Sequence, residues 1–429
     1  MRLSFGFRSS LAVICAAMAF GILAAGFAAD ETFWPYWRGP AADGMAAGDA
    51  PVNWSDTQNV LWKTDIPGLG NSSPIVWGDQ VFLTTAIPPE GASTGALVEN
   101  KFDVISLDRK TGKILWQQTA KTAVPHEGSH QTYGSFASNS PVTDGKLVYA
   151  FFGSRGVYCY DLKGKLIWQK DYNIQMRMKM AFGEGMAPVL AGNKLLLVFD
   201  HEGDSFMVAL DKGTGKEIWR VARNEKSNWA APLVVDFGGK RQLVVAATSK
   251  VRSYDLETGT LLWECAGLGA NTIPQPVRME DLVFVMSGYQ NPRLMAIRLG
   301  RTGDLTGTDA IVWTQVKGNS YTPSPVIYDN KLYVLTDNGM LTCYSARTGE
   351  GHYLQERLPK AYSFKSSPVG AGGKLYLASE NEDVIVVRMG EKFEVLATNT
   401  MPGETFIATP AITGGQIFLR SKKRIYCIQ

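Results

Sequence analysis

The chain has 429 residues, of which 45% are hydrophobic and 19% charged, with a formal net charge of +3. That balance excludes a disordered or fibrous chain, and no basic stripe is present, which argues against a nucleic-acid partner. Arg2 and Arg8 precede an apolar run from Leu11 to Phe27 and then Ala28-Ala29, the layout of a secretory signal over residues 1–29. The run is also long enough for an uncleaved single-helix anchor. The protein is therefore expected in the periplasm or outside the cell, with no integral membrane domain beyond that segment. Cys15 lies within the run without a small residue before it, so a lipoprotein signal is not written.

Residues 30–58 read as an N-terminal extension and 59–429 as one repeat domain. The extension ends at an orphan strand, Val60-Leu61-Trp62. A pre-proline step then recurs eight times, at Ser73-Pro74, Ser140-Pro141, Ala187-Pro188, Ala231-Pro232, Gln275-Pro276, Ser324-Pro325, Ser367-Pro368 and Thr409-Pro410. A near-constant period of this length means stacked supersecondary units, not two or three independent domains. Within each period a tight turn such as Thr143-Asp144-Gly145 leads to an alternating apolar strand, and a third strand ends on Asp161, Asp211 or Asp255. A Gly follows, and four residues later a Trp: Gly112 to Trp116, Gly164 to Trp168, Gly215 to Trp219, Gly259 to Trp263. Asp caps the turn amides and Gly supplies the positive φ.

Four short antiparallel strands per unit and no amphipathic helix predict an all-β, eight-bladed β-propeller with tryptophan-docking positions. The last unit, Thr409 to Gln429, stops after three strands. Val60 to Trp62 is expected to complete it, which would remove the open edge of the ring. Trp62, Trp116, Trp168, Trp219, Trp263 and Trp313 occupy the repeated fourth-strand position as structural residues. Unit six carries Tyr353 there and unit seven Phe393-Glu394-Val395, which marks a weaker wall. Cys159, Cys343 and Cys427 share one repeat position, taken elsewhere by Ser106, Ala209, Ser253, Ala296 and Val386. They read as small buried residues, not bridges, and Cys265 has no evident partner.

Function belongs where the repeat breaks down. Loops from the fourth strand to the next unit and from the second strand to the third share one face and vary in length, while the opposite turns are short and alike. Long irregular loops on a rigid scaffold are where binding concentrates. Among them are the insertions Thr84 to Asp103 and Asp200 to Ser205. The variable face collects His126, Glu127 and His130, then Arg177, Lys179 and Glu184, then Asp200-His201-Glu202-Gly203-Asp204. Asp200, Glu202 and Asp204 have the alternate spacing of a calcium loop but lack its closing acid, so a solvated turn is the simpler reading. His126, His130 and His201 lack the tight spacing of a zinc site. Asn228 and Trp229 stand at the start of a first strand, near the channel mouth, and Arg155, Tyr289, Asn291, Arg293, Tyr321 and Lys365 should look the same way. Two readings stand: inter-blade hydrogen bonds with rim packing, or a funnel for a planar or anionic small molecule.

The unit Ala209-Leu210-Asp211 through Thr214-Gly215-Lys216 to Trp219 resembles the tryptophan-docking repeats of the pyrroloquinoline quinone (PQQ) superfamily. The opening Trp34-Pro35-Tyr36-Trp37-Arg38-Gly39-Pro40 with Asp43-Gly44 is similar to that of secreted PQQ-like propellers abundant in planctomycetes and related bacteria. The resemblance spans Trp34 to Gln429 and implies the fold. It leaves open a quinoprotein alcohol dehydrogenase, using PQQ and calcium, or a relative of the propeller lipoprotein of the outer-membrane β-barrel assembly machinery. The dehydrogenases' adjacent-cysteine disulfide is absent, and their calcium-binding Glu, Asn and Asp find no residue-by-residue match; Glu184 and Asp200 are the candidates for a catalytic acid. The sequence therefore favours a monomeric binding or scaffold propeller that presents its variable face to a protein or small-molecule ligand, with a quinoprotein oxidoreductase acting on alcohols or sugars as the alternative.

Overall fold

The computed structural model describes Met1, residues 33–92 and residues 95–429. The expected export signal lies, apart from Met1, outside the described residues. Eight antiparallel sheets follow one another along the chain and form an eight-bladed β-propeller. Blade 3 shows the unit: Val189–Ala191, Lys194–Phe199, Ser205–Asp211 and Glu217–Arg223 pair in sequence order, from the channel outward. In the eighth blade the outermost strand is Val60–Asp65, paired antiparallel with Arg424–Ile428, so the two ends of the repeat domain share one sheet.

The docking residues repeat one geometry. Five of the six Trp indoles lie over the turn glycine of the following blade and donate their N–H to a carbonyl there. Trp62 donates to Arg109 O at 2.8 Å, Trp116 to Leu162 O at 2.9 Å, Trp168 to Lys212 O at 2.9 Å, Trp219 to Leu256 O at 3.2 Å and Trp313 to Ala346 O at 3.0 Å. A Cβ added at Gly215 (φ +70°) would stand 2.6 Å from Trp168, and one at Gly112 2.5 Å from Trp62. These glycines thus serve twice, once for the left-handed turn and once for the close approach of the indole.

The shared cysteine position has a matching cause. Cys159 pairs across the strands with Trp168, Cys343 with Tyr353 and Cys427 with Trp62, as Ser106 does with Trp116 and Ala209 with Trp219. The large indole needs a small partner on the same face. Blade 7 reverses the sizes, with Val386 opposite Ala397 and no Trp. All four cysteines among the described residues are buried and unpaired, and burial pushes the Cys159, Cys343 and Cys427 thiols up to about 12. They are small apolar fillers without thiolate reactivity.

Trp263 departs from the pattern. Its N–H turns to Gln242 Oε1 of its own blade at 3.0 Å, and the Gly303–Asp304 strand of the next unit folds back and pairs in parallel with Leu261–Cys265. In blade 6 the Tyr353 ring packs edge-on to Phe393 at 5.9 Å, and its hydroxyl has no partner.

The pre-proline residues carry a second inter-blade system. The amides of Gln275, Ser324, Ser367, Thr409 and Ser73 donate in turn to the hydroxyls of Ser324, Ser367, Thr409, Ser73 and Ser140, at 2.8 to 3.0 Å. The run stops where blades 3 and 4 place Ala187 and Ala231.

Two sequence expectations change. The insertion read as Thr84 to Asp103 is shorter, since Gln80–Ile87 and Asn100–Asp108 are paired along their length. The extension is also part of the ring. Phe33–Trp34 pairs with the inner strand of blade 1, and Arg38, fully buried in the channel, donates to the carbonyls of Pro325 at 2.6 Å and Pro368 at 2.7 Å. Burial lowers the Arg38 guanidinium to about 10, which leaves it cationic at neutral pH. Asp49 then pairs with Lys374, and the Trp54 amide reaches Asn399 Oδ1 at 2.8 Å, so the segment passes back under blade 7 before it joins blade 8.

Candidate functional site

The variable loops surround a funnel of about 390 Å³ at the channel mouth, within the range of small-molecule sites. Trp37, carried by the threaded N-terminal segment, is one of its lining residues, next to the pre-proline residues Ser73, Ser140, Ser367 and Thr409. Its aromatic walls are Tyr133, Phe182, Trp229, Tyr289 and Tyr321. The Trp229 N–H donates to Gly183 O at 2.8 Å, so the indole's hydrogen-bonding capacity is already used by the protein. Tyr289 and Tyr321 pack with ring centroids 5.5 Å apart. Tyr133 stacks on His130 with ring centroids 3.5 Å apart, and the Lys365 ammonium lies 4.7 Å from the Tyr133 ring centre. Burial, and then the charge of Lys365, hold the His130 imidazole below its ordinary value.

The charges at the funnel are matched within the protein. Lys365 Nζ lies 3.4 Å from Asp337 Oδ1 and 3.7 Å from Glu380 Oε1. Glu184 pairs with Arg155 at 2.7 Å, both almost wholly buried, and also accepts the Ser154 amide. Gly153 is required there, since a Cβ at that position (φ +58°) would stand 1.6 Å from the Glu184 carboxylate. On the rim, Met180 and Ala181 adopt left-handed φ of 53° and 51°, which leaves Met180 exposed beside the opening.

The residues singled out in the sequence divide into two groups. His130, Glu184, Trp229, Tyr289, Tyr321 and Lys365 line the funnel. Most of the others lock loops together beside it. Asp200 accepts two bonds from Arg223, at 2.7 and 2.8 Å, and one from Asn228 at 3.1 Å. Glu202 takes the Ser227 hydroxyl at 2.7 Å, and Arg177 reaches Glu202 O at 3.4 Å. His126 Nε2 lies 2.8 Å from Met176 O, and His201 Nδ1 accepts the Gly203 amide at 3.1 Å. Asp204 is exposed, and Arg293, whose Nε has no partner, does not line the funnel.

Of the metal candidates, Asp200 is engaged by a buried ion pair, Glu202 by Ser227, and Asp204 is exposed, and the three do not form a group that could hold a metal ion. Nor do His126, His130 and His201: among the described residues no three His, Cys, Asp or Glu side chains form a group that could hold a metal ion. The residues present do not fit the calcium and quinone pair that the superfamily suggests. Glu184 and Asp200, the carboxylates nearest that role, are both engaged by arginines. Sequence reasoning missed Trp37, Tyr133 and Phe182. Trp37 sits in an aromatic cluster upstream of the repeats, and nothing local shows that this segment threads the channel.

Comparison with known proteins agrees with the fold. The family model described as outer membrane protein assembly factor BamB matches residues 46–173 and again 157–392. The BamB of Moranella endobia is 20% identical over 363 residues, covering 77% of this chain and 84% of its own. A polyvinylalcohol dehydrogenase from a Pseudomonas species is 25% identical over 266 residues, covering 51% of this chain and 37% of its own. The matches span half or less of the first curated relatives' own lengths. In structure, BamB from Moraxella catarrhalis superposes with TM-score 0.56 at 13% identity, covering 85% of this chain and 96% of its own. The quinohemoprotein alcohol dehydrogenase of Comamonas testosteroni superposes with TM-score 0.62 at 9% identity, covering 92% and 80%. Both superpositions speak to the fold alone. Among the described residues no helix is long and apolar enough to cross a membrane. With the family model matching most of its length and eight blades closed into one ring, the chain belongs to the BamB family of PQQ-repeat β-propellers.

Proposed function

We propose that this protein is an extracytoplasmic binding or scaffold module that works through the funnel and loops of its variable face. One observation carries this: the funnel is walled by aromatic rings, while Glu184 and Lys365, the two charged side chains that line it, are already paired within the protein, so it offers contact area without a free carboxylate. The family's assembly factors support a scaffold reading, and Arg2, Arg8 and the apolar run that follows them within residues 1–29 support export. The protein is taken to act as a monomeric propeller.

The competing reading is a PQQ- and calcium-dependent oxidation of an alcohol or sugar. The dehydrogenases among its relatives favour it. The engaged carboxylates of Glu184 and Asp200 weigh against it. Absorption spectra and metal analysis of the mature protein, before and after addition of PQQ and calcium, test the choice. A binding module gives no quinone chromophore and no dye reduction with alcohols. Stoichiometric PQQ and calcium with turnover would overturn the proposal.

A further inference from the structure

We propose that the funnel binds a compact apolar ring that carries carbonyl or carboxylate oxygens, an inference that rests on the variable-face reading above and gives its ligand a chemical class. The evidence begins with hydroxyl protons that have no acceptor in the protein. Ser140, Ser73, Thr409 and Ser367 stand at the entries of blades 2, 1, 8 and 7, neighbours around the ring, and all four line the funnel. Their hydroxyl oxygens accept the amides of Ser73, Thr409, Ser367 and Ser324 in turn. A hydroxyl also carries one donor hydrogen, and among the described residues none of these four donates it to a protein acceptor. The four residues are only 2% to 6% exposed, and a buried donor left without an acceptor is costly. Each amide that donates to such an oxygen also polarises the O–H and strengthens it as a donor. An arc of four donors suits a group with several acceptor lone pairs, as carbonyl and carboxylate oxygens have.

The other side of the funnel is apolar. Blades 3 and 4 place Ala187 and Ala231 at the same step, Ile273 follows before blade 5, and Phe182 and Trp229 come from the loops that lead into blades 3 and 4. The Trp229 N–H is spent on Gly183 O, so that indole offers ring surface. A ligand that matches both halves is an apolar ring with its acceptor oxygens on one edge, and a volume of about 390 Å³ admits it.

The titratable groups lining the funnel do not set the sign of the ligand's charge. Glu184 gives one oxygen to Arg155 and the other to the Ser154 amide. His130 accepts the Thr132 amide at Nδ1, 3.3 Å away, and burial together with the Lys365 charge keeps its imidazole neutral at pH 7. Lys365 has Asp337 and Glu380 beside it, and one ammonium against two carboxylates leaves a net charge of −1, with both carboxylates outside the lining. Selection therefore falls to the neutral hydroxyl arc, which serves a carboxylate and an uncharged carbonyl alike.

The test is a titration of the full chain by intrinsic fluorescence and calorimetry with benzoate and benzamide, which share the ring and the acceptor oxygen but differ in charge. Benzylamine, toluene and PQQ are the comparisons. The proposal predicts saturable one-to-one binding of benzoate or benzamide, with benzylamine and toluene weaker by roughly tenfold or more from the lost hydrogen bonds. Ser367→Ala and Thr409→Val should each narrow that preference by roughly three- to tenfold, whereas Thr409→Ser, which keeps the hydroxyl, should match the parent. A variant that merely loosened the ring would weaken all probes together and leave the preference unchanged. Ala187→Ser adds a fifth hydroxyl to the arc and should tighten the favoured probe by about threefold or more. Toluene or benzylamine binding as well as benzoate and benzamide, or a preference unchanged in both loss variants, would overturn the proposal. Binding of PQQ without benzoate or benzamide would overturn it too and return the funnel to the quinone reading. If no probe binds, the ligand class falls, and the variable-face reading is judged by its own spectroscopic test.

Discussion

Substituting Gly215 by Ala tests the inter-blade docking geometry most sharply, because the same residue answers to two separable constraints. Its φ of +70° is left-handed, a cost of about 1–2 kcal/mol for an L-residue. Its new Cβ would stand 2.6 Å from the Trp168 indole, and overpacking of that kind costs about 1–3 kcal/mol more. The sum is about 2–5 kcal/mol, from the strain and overpacking together. Gly238 provides the control: its φ is +59°, but nothing lies within 4 Å of an added Cβ, so Gly238→Ala should lose only the first part. Urea melts followed by circular dichroism measure both. In the double variant with Trp168→Ala the steric part disappears, and the two substitutions should then couple by about 1 kcal/mol or more. Equal losses at Gly215 and Gly238, or additivity of Gly215→Ala with Trp168→Ala within about 0.5 kcal/mol, would refute the docking argument.

Three further outcomes follow from the same structure. Asp200→Asn strands the fully buried Arg223 guanidinium and should cost about 3–5 kcal/mol in urea melts, whereas replacing both partners by apolar residues of similar volume should cost less. Burial raises the Glu127 carboxyl above its ordinary range, so its contribution to stability is fully present below the unfolded value and is lost as pH rises through the folded one. Glu127→Gln, which can still accept the Met178 amide, should therefore raise the thermal midpoint relative to the parent at pH 7, with the difference shrinking as the pH approaches about 4. Hydrogen exchange should be faster in the outer strands Gly351–Arg357 and Val395–Thr400 than in Glu217–Arg223, because only the last carries an indole whose N–H fastens it to the next blade.

Much of the ring could be read from the chain because its information is local. A Trp four residues after a turn glycine, or a Ser before a proline, marks the same mechanical task in each unit. The reason for the small third-strand residue needed the register, since Cys159 meets Trp168 only once the strands are paired. The site was half visible. His130, Glu184, Trp229 and Lys365 stood out as irregular residues on one face, yet the sequence could not separate them from Asp200 or His201, which lie nearby in the chain and turn inward to lock loops. Trp37 was hidden for a different reason. Its place depends on Arg38 finding the carbonyls of Pro325 and Pro368, some 290 and 330 residues away. No local pattern encodes that threading.

Hydrogen exchange of the full chain, free and with whichever carbonyl or quinone probe binds, tests most directly whether function resides on the variable face. Protection is predicted in segments 126–138, 177–187, 286–293 and 319–323 around the funnel, with none in the short turns 108–113, 161–165, 211–216 and 255–260. Protection of those short turns, with the funnel segments unchanged, would contradict the central claim.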